Sequence, residues 1–167
     1  AIHFGTDGFL YVAVGDGATS SNSQTLANLY GKILRVDPAN FPTNFIPNTN
    51  PFVNTQGARG EIWALGLRNP FTFGVDPSTG AINVNDVGQS SWEEINRLTK
   101  GANYGWPACE GANGCSGNIT LPIHAYDHGI GCAITGGAFY RGNAFPSTFN
   151  GNYFFSDFCG GWIRRLN

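Results

Sequence analysis

Short strand-like runs introduced by tight turns recur along the chain. Three segments share a turn, an apolar-alternating run and a closing Asp: residues 7–16 (DGFLYVAVGD), 79–86 (TGAINVND) and 150–157 (NGNYFFSD). The closing residues Asp16, Asp86 and Asp157 stand about seventy positions apart. A second run follows each segment: Ile33-Leu34-Arg35-Val36, Ile95-Asn96-Arg97-Leu98 and Ile163-Arg164-Arg165-Leu166. All three fit Ile-x-Arg-(Val/Leu), an alternation that suits a strand with one buried face. A third run, at residues 62–68 (IWALGLR) and 134–141 (ITGGAFYR), precedes the second and third turns and has no counterpart ahead of the first.

Units of about three or four short antiparallel strands cannot bury both of their faces alone, so they must stack. The pattern therefore predicts an all-β fold, a partial β-propeller. Residues 1–167 read as one incomplete domain of roughly two and a half to three blades, each about seventy residues long, with no second domain. Closed propellers have roughly four to eight blades. The open edges are accordingly expected to be covered by a missing half of the propeller or by a second copy of the chain. The stretch 37–60, rich in Pro, Asn and Thr, reads as an insertion loop over one face.

Composition narrows the partners. Eleven acidic and nine basic residues leave a formal charge of −2, and only 12% of positions are charged. Without a Lys/Arg cluster there is no phosphate-tracking surface, which argues against nucleic acid. No apolar run approaches the roughly 20 residues of a bilayer span, and residues 1–20 lack the order of a signal peptide. A content of 41% apolar and 14% aromatic residues is too sticky for a disordered chain.

Cys109, Cys115, Cys132 and Cys159 make an even set, and Asn118-Ile119-Thr120 is a glycosylation sequon at Asn118. Together they point to an oxidising compartment: secreted, periplasmic or extracellular. Cys109 and Cys115 can close a small ring in a Gly/Asn-rich loop, and Cys132 with Cys159 can tie neighbouring strands. The competing reading is a zinc site using His124 and His128 between the Cys pairs. Pro122, Gly129 and Gly131 oppose the helix that would align those imidazoles, and close Cys-x2-Cys pairs are absent.

Loops at one end of a propeller are where chemistry is sought. Arg68-Asn69-Pro70 offers a planar fork suited to a carboxylate or carbonyl oxygen, although a strand-end Arg paired with a surface acid is the plainer alternative. Residues 86–94 (DVGQSSWEE) combine three carboxylates with a Gly that exposes carbonyls, the mixture hard cations favour. Residues 101–107 (GANYGWP) form an aromatic turn that can wall a sugar site or simply pack a corner.

These strings carry a resemblance. Leu67-Arg68-Asn69-Pro70, Asp86-Val87-Gly88-Gln89 with Glu93-Glu94-Ile95-Asn96, and Lys100-Gly101-Ala102-Asn103-Tyr104-Gly105-Trp106-Pro107 resemble the glucose/sorbosone dehydrogenase family. Residues 4–11, 15–17, 31–35 and 135–142 agree with it as well, and residues 157–160 are similar to its hedgehog-interacting-protein-like branch. The family consists of six-bladed propellers that include soluble pyrroloquinoline-quinone (PQQ) aldose dehydrogenases. The resemblance implies oxidation of a sugar at its anomeric carbon, with PQQ and calcium as cofactors and an external electron acceptor. It implies that Arg68 and Asn69 face the quinone, that Gly88 and Gln89 lend carbonyls to the cofactor's calcium, and that Glu94 and the Tyr104 carbonyl hold a second calcium. Asp16 would orient a catalytic histidine, and Arg141 would lie near the cofactor carboxylates. The histidine itself falls upstream of Ala1; His3 does not replace it, and the isolated chain is expected to be inactive. Val87 departs from the polar Gln or His of active members, which predicts weaker cofactor affinity. The alternative is a non-catalytic extracellular module that binds protein or glycan.

Overall fold

The computed structural model describes residues 1–167 and contains eleven strands, three short 3-10 turns and no α-helix. Strands β1 (Ile2–Phe4), β2 (Leu10–Val14), β3 (Lys32–Val36) and β4 (Ile62–Leu65) make the first sheet. The second holds β5 (Pro70–Val75), β6 (Ile82–Asp86), β7 (Trp92–Arg97) and β8 (His124–Asp127), and the third β9 (Ile134–Phe139), β10 (Tyr153–Asp157) and β11 (Trp162–Leu166). Every pairing is antiparallel between chain neighbours, so each sheet is a meander. The first strands β1, β5 and β9 lie beside one another, as the blades of a propeller require.

Register decides what each face buries. In the middle sheet Val84 pairs with Asn96 and Asp86 with Glu94, so these side chains share a face with Ile82. That face packs Ile82, Val84 and Phe73 against Tyr11, Ile33 and Ala64 of the first sheet and Leu67 of the turn that follows it. The opposite face sets Ile95 and Tyr126 against Ile134, Tyr153 and Phe155 of the third. Each fully buried side chain of this kind contributes about 1.5–3 kcal/mol, and two such seams hold three blades together. Polar contacts also cross the seams: the Tyr153 hydroxyl lies 3.1 Å from Asn85 Oδ1 and donates across blades. The buried Lys32 Nζ donates to the carbonyls of Asn22, Ser23 and Tyr30 at 2.8, 3.1 and 2.6 Å, stitching the segment after β2 onto β3.

Asp86 and Asp157 play one role. Each ends the second strand of its sheet and accepts two amides at the entrance to the first strand. Asp86 takes Arg68 N and Asn69 N at 3.0 and 2.6 Å; Asp157 takes Cys132 N and Ala133 N at 3.2 and 3.0 Å. Asp16 breaks the equivalence expected from the sequence, for it lies beyond β2 and points towards the second blade. The third recurring run also differs from expectation. Residues 62–68 form the last strand of the first sheet, whereas residues 134–141 begin the third. The true counterparts of β9 are β5 and β1, so the first blade does have this element. Apolar alternation reports which face is buried and is silent on a strand's place in its sheet.

The insertion 37–60 joins β3 to β4 and folds back: Asn50 Nδ2 donates to Arg35 O and Gly60 O at 2.8 and 2.9 Å. Disulfides link Cys109 to Cys115 and Cys132 to Cys159, as the spacing suggested, with Cα separations of 4.8 and 5.5 Å. The second joins the approach to β9 to the exit of β10. With every Cys in a disulfide, no thiolate remains for the zinc reading.

Candidate functional site

Residues 66–69 carry the chain from β4 to β5 on one rim. Gly66, at φ 79°, passes so close to the 103–105 loop that a Cβ would meet Asn103 Oδ1 and the Gly105 amide. Leu67 is wholly buried and fixes the base of the turn. The next two amides are taken by Asp86, and the carbonyls of Arg68 and Asn69 accept Asp16 N (2.8 Å) and Val87 N (3.0 Å). Arg68 is thereby aimed at the 86–92 turn: its Nε donates to Gln89 Oε1 and its Nη1 to Val87 O, both at 2.9 Å. The arginine and the carbonyl-rich turn do meet.

Gly88 is required in that turn, because a Cβ would lie 1.7 Å from the Trp92 carbonyl. Beyond it four consecutive amides converge on one oxygen. Glu110 Oε1 accepts Gln89 N, Ser90 N, Ser91 N and Trp92 N at 2.8, 3.0, 3.1 and 3.3 Å. Sequence reasoning missed Glu110, whose only signal was to be the lone acid inside the Cys109–Cys115 loop. Burial opposes its charge, but the four amides prevail and hold its carboxyl below the usual range.

The seam beneath the turn is acidic. Burial, then the neighbouring charge of Glu94, pushes Asp86 up. Burial likewise pushes Glu94 up to about 7, although it accepts Asn96 Nδ2 at 2.9 Å and Gly111 N at 2.6 Å. Asn96 Oδ1, also buried, has no partner. Glu93 faces the other seam, where His128 Nε2 sits 2.8 Å away and Ile134 N donates at 2.9 Å. Its carboxyl too is raised by burial.

A cleft of about 560 Å³ opens beside Arg68, lined by Asp16, Ala18, Ser20, Arg68, Gln89 and Trp106, with a smaller lobe reaching Gly15, Gly17 and Asn69. Asp16 is held by Ala18 N (2.9 Å) and the Trp106 indole (3.0 Å). Ala18 sits in the left-handed region at φ 59°, strain that the Asp16 bond offsets. On the other side of Asn69 lies an apolar groove of about 250 Å³ between Phe71, Val87, Ala133, Thr135 and Phe158.

Asp16, Arg68, Asn69, Gly88 and Gln89 are thus on one rim. Glu94 and Tyr104 share the seam below it, where the Tyr104 hydroxyl donates to Arg97 O at 2.7 Å, leaving only its carbonyl as a candidate ligand. Arg141 is elsewhere, contrary to expectation. It follows β9 and clasps Asp76, its Nε 2.9 Å from Oδ1, at the opposite end of β5 from Arg68. A strand-end arginine in the sequence does not reveal which rim it serves. His3 packs edge-on against Phe73, centroids 4.9 Å apart, outside the cleft. Asn118 is exposed. No helix is long and apolar enough to cross a membrane.

Three propeller blades with an Arg-Asn rim over an acidic, carbonyl-rich turn define a fold of the PQQ-dependent aldose sugar dehydrogenase type. The chain belongs to the glucose/sorbosone dehydrogenase family, whose model matches residues 1–167. It is 36% identical over 191 aligned residues to the HIPL2 protein of Arabidopsis thaliana, covering 93% of this chain and 27% of that protein. To the aldose sugar dehydrogenase YliI of Escherichia coli it is 33% identical, covering 86% and 40% respectively. The PQQ-bound aldose sugar dehydrogenase of Streptomyces coelicolor superposes with a TM-score of 0.79 at 27% identity, over 99% of this chain and 43% of that one. The chain therefore spans less than half the length of these relatives.

Proposed function

We propose that this chain is part of a PQQ- and calcium-dependent enzyme that oxidises an aldose at its anomeric carbon and passes the electrons to an external acceptor. The observation that carries this reading is the contact of the Arg68 guanidinium with the 86–92 turn beside an open cleft. The residues fit the cofactors. The cleft lies within the roughly 300–1,000 Å³ of small-molecule sites. The carbonyls of Gly88 and Gln89 accept no hydrogen bond within the chain, as cation ligands would require. The buried Glu94 carboxylate beside the unpartnered Asn96 Oδ1 suits a second hard cation, with the Tyr104 carbonyl in the same seam.

Bound there, the quinone would supply the two-electron sink for the sugar's hydride, and calcium would polarise it. Arg68 then offers a fixed positive charge where negative charge develops, and Asn69 a neutral donor beside it. Asp16, already oriented by Trp106, would hold an imidazole that removes the sugar's hydroxyl proton. That histidine would come from outside residues 1–167. Val87 contributes its carbonyl to Arg68 while its isopropyl group packs against the third-blade seam. Where the family resemblance implies a polar side chain beside the cofactor, Val87 presents an apolar wall. The two disulfides and the exposed Asn118 sequon support a secreted, periplasmic or extracellular setting.

The test is titration of the full-length protein with PQQ in calcium, followed by quinone absorbance. Saturable binding lost in Arg68→Ala, and sugar-dependent reduction lowered at least about a hundredfold, is the expected result. No binding by wild type would remove the enzyme reading and leave the rival, a non-catalytic binding module, which the apolar groove at Val87 favours.

A further inference from the structure

Trp106 is a wall common to two depressions. On one side is the Arg68 cleft; on the other a hollow of about 350 Å³ is bounded by Ser91, Trp92, Trp106, Pro107, Glu110 and Asn113. Two indoles with a hydroxyl, a carboxylate and an amide are the chemistry a pyranose ring requires. Aromatic faces cover its apolar C–H face, while the polar groups bond its hydroxyls.

The two indoles and the carboxylate are fixed in advance. The Trp106 indole is pinned by Asp16. Trp92 lies so closely on Gly111 that a Cβ there would fall 2.7 Å from Trp92 Cγ. The amides of residues 89–92 hold Glu110 through Oε1, so Oε2 is the oxygen left to accept from a ligand hydroxyl. Glu110 and Asn113 exchange backbone hydrogen bonds, both 3.4 Å, inside the ring closed by Cys109–Cys115. Little ordering would remain for a ligand to impose, which favours affinity.

We propose that this hollow is a carbohydrate subsite continuous over Trp106 with the Arg68 cleft. The ligand is then an oligosaccharide, its reducing end towards Arg68 and its next ring between Trp92, Glu110 and Asn113. Only the direction of the sugar rests on the dehydrogenase reading; the subsite itself does not.

The experiment titrates glucose, maltotetraose and cellotetraose into the full-length protein without quinone, by calorimetry and tryptophan emission. At least one tetrasaccharide is expected to bind about tenfold or more tightly than glucose. Asn113→Ala, an exposed position, should weaken that binding about three- to tenfold, the loss of one hydrogen bond, and leave glucose affinity unchanged. Glu110→Gln, which keeps an oxygen for the amides, should act in the same direction. Tetrasaccharides that bind no better than glucose, or equal affinities in wild type and Asn113→Ala, would overturn the proposal. So would a folded protein that binds neither kind of sugar. Failure of the dehydrogenase reading shows separately, as absent quinone binding by the same protein.

Discussion

Asp76 is almost wholly buried and accepts from Arg141, Thr79 and Ser78. The Arg141 guanidinium, the strongest of these influences, holds its carboxyl far below the usual range against the effect of burial. A carboxyl depressed on folding contributes stability that is complete above its unfolded value, near 4, and is lost as pH falls through the folded one. Asp76→Asn removes that dependence. Its melting temperature should be lower than wild type near pH 7 and decline less steeply between about pH 5 and 2.5. Parallel acid slopes in the two proteins would show that the Arg141 pair does not drive the linkage.

At the scale of elements, the 86–92 turn is the most exacting piece. Gly88→Ala would drive a methyl into the Trp92 carbonyl, a backbone atom that cannot step aside. The turn must open and release the four amides from Glu110. The expected outcome is a loss of about 2 kcal/mol or more in denaturant unfolding, together with at least tenfold weaker calcium binding by calorimetry. Unchanged calcium affinity would show that these carbonyls are not the cation's seat. Part of this was legible beforehand. Strands such as β6 and β7 betray themselves by alternation, although the structure buries both of their faces rather than one, and Arg68 with residues 86–89 stood out as strings that packing does not require. β5 was not read as a strand because Pro70 opens it, at the position where a missing amide does no harm. The convergence of residues 89–92 on Glu110 joins places about twenty positions apart, so only the folded loop displays it.

For the whole molecule, cohesion between the second and third blades rests on the seam around Ile95, Tyr126, Ile134, Tyr153 and Phe155. Ile95 is fully buried there, and Ile95→Ala should cost about 2–5 kcal/mol, seen as a lower urea midpoint. A change below about 0.5 kcal/mol would mean that the blades do not depend on this contact. The repeat was readable at this scale because the second and third blades each carry an Asp-closed strand and the first a near-copy whose Asp16 falls just beyond β2. The opposite placement of Arg141 was not, since a rim is a property of assembled sheets.

The paired aspartates Asp86 and Asp157 have an evolutionary corollary. Each clasp closes within a single blade, so a duplicated gene segment arrives with its fastening included. Newly copied units need only matching greasy flanks to join the ring, which leaves their tips free to diverge into new chemistry.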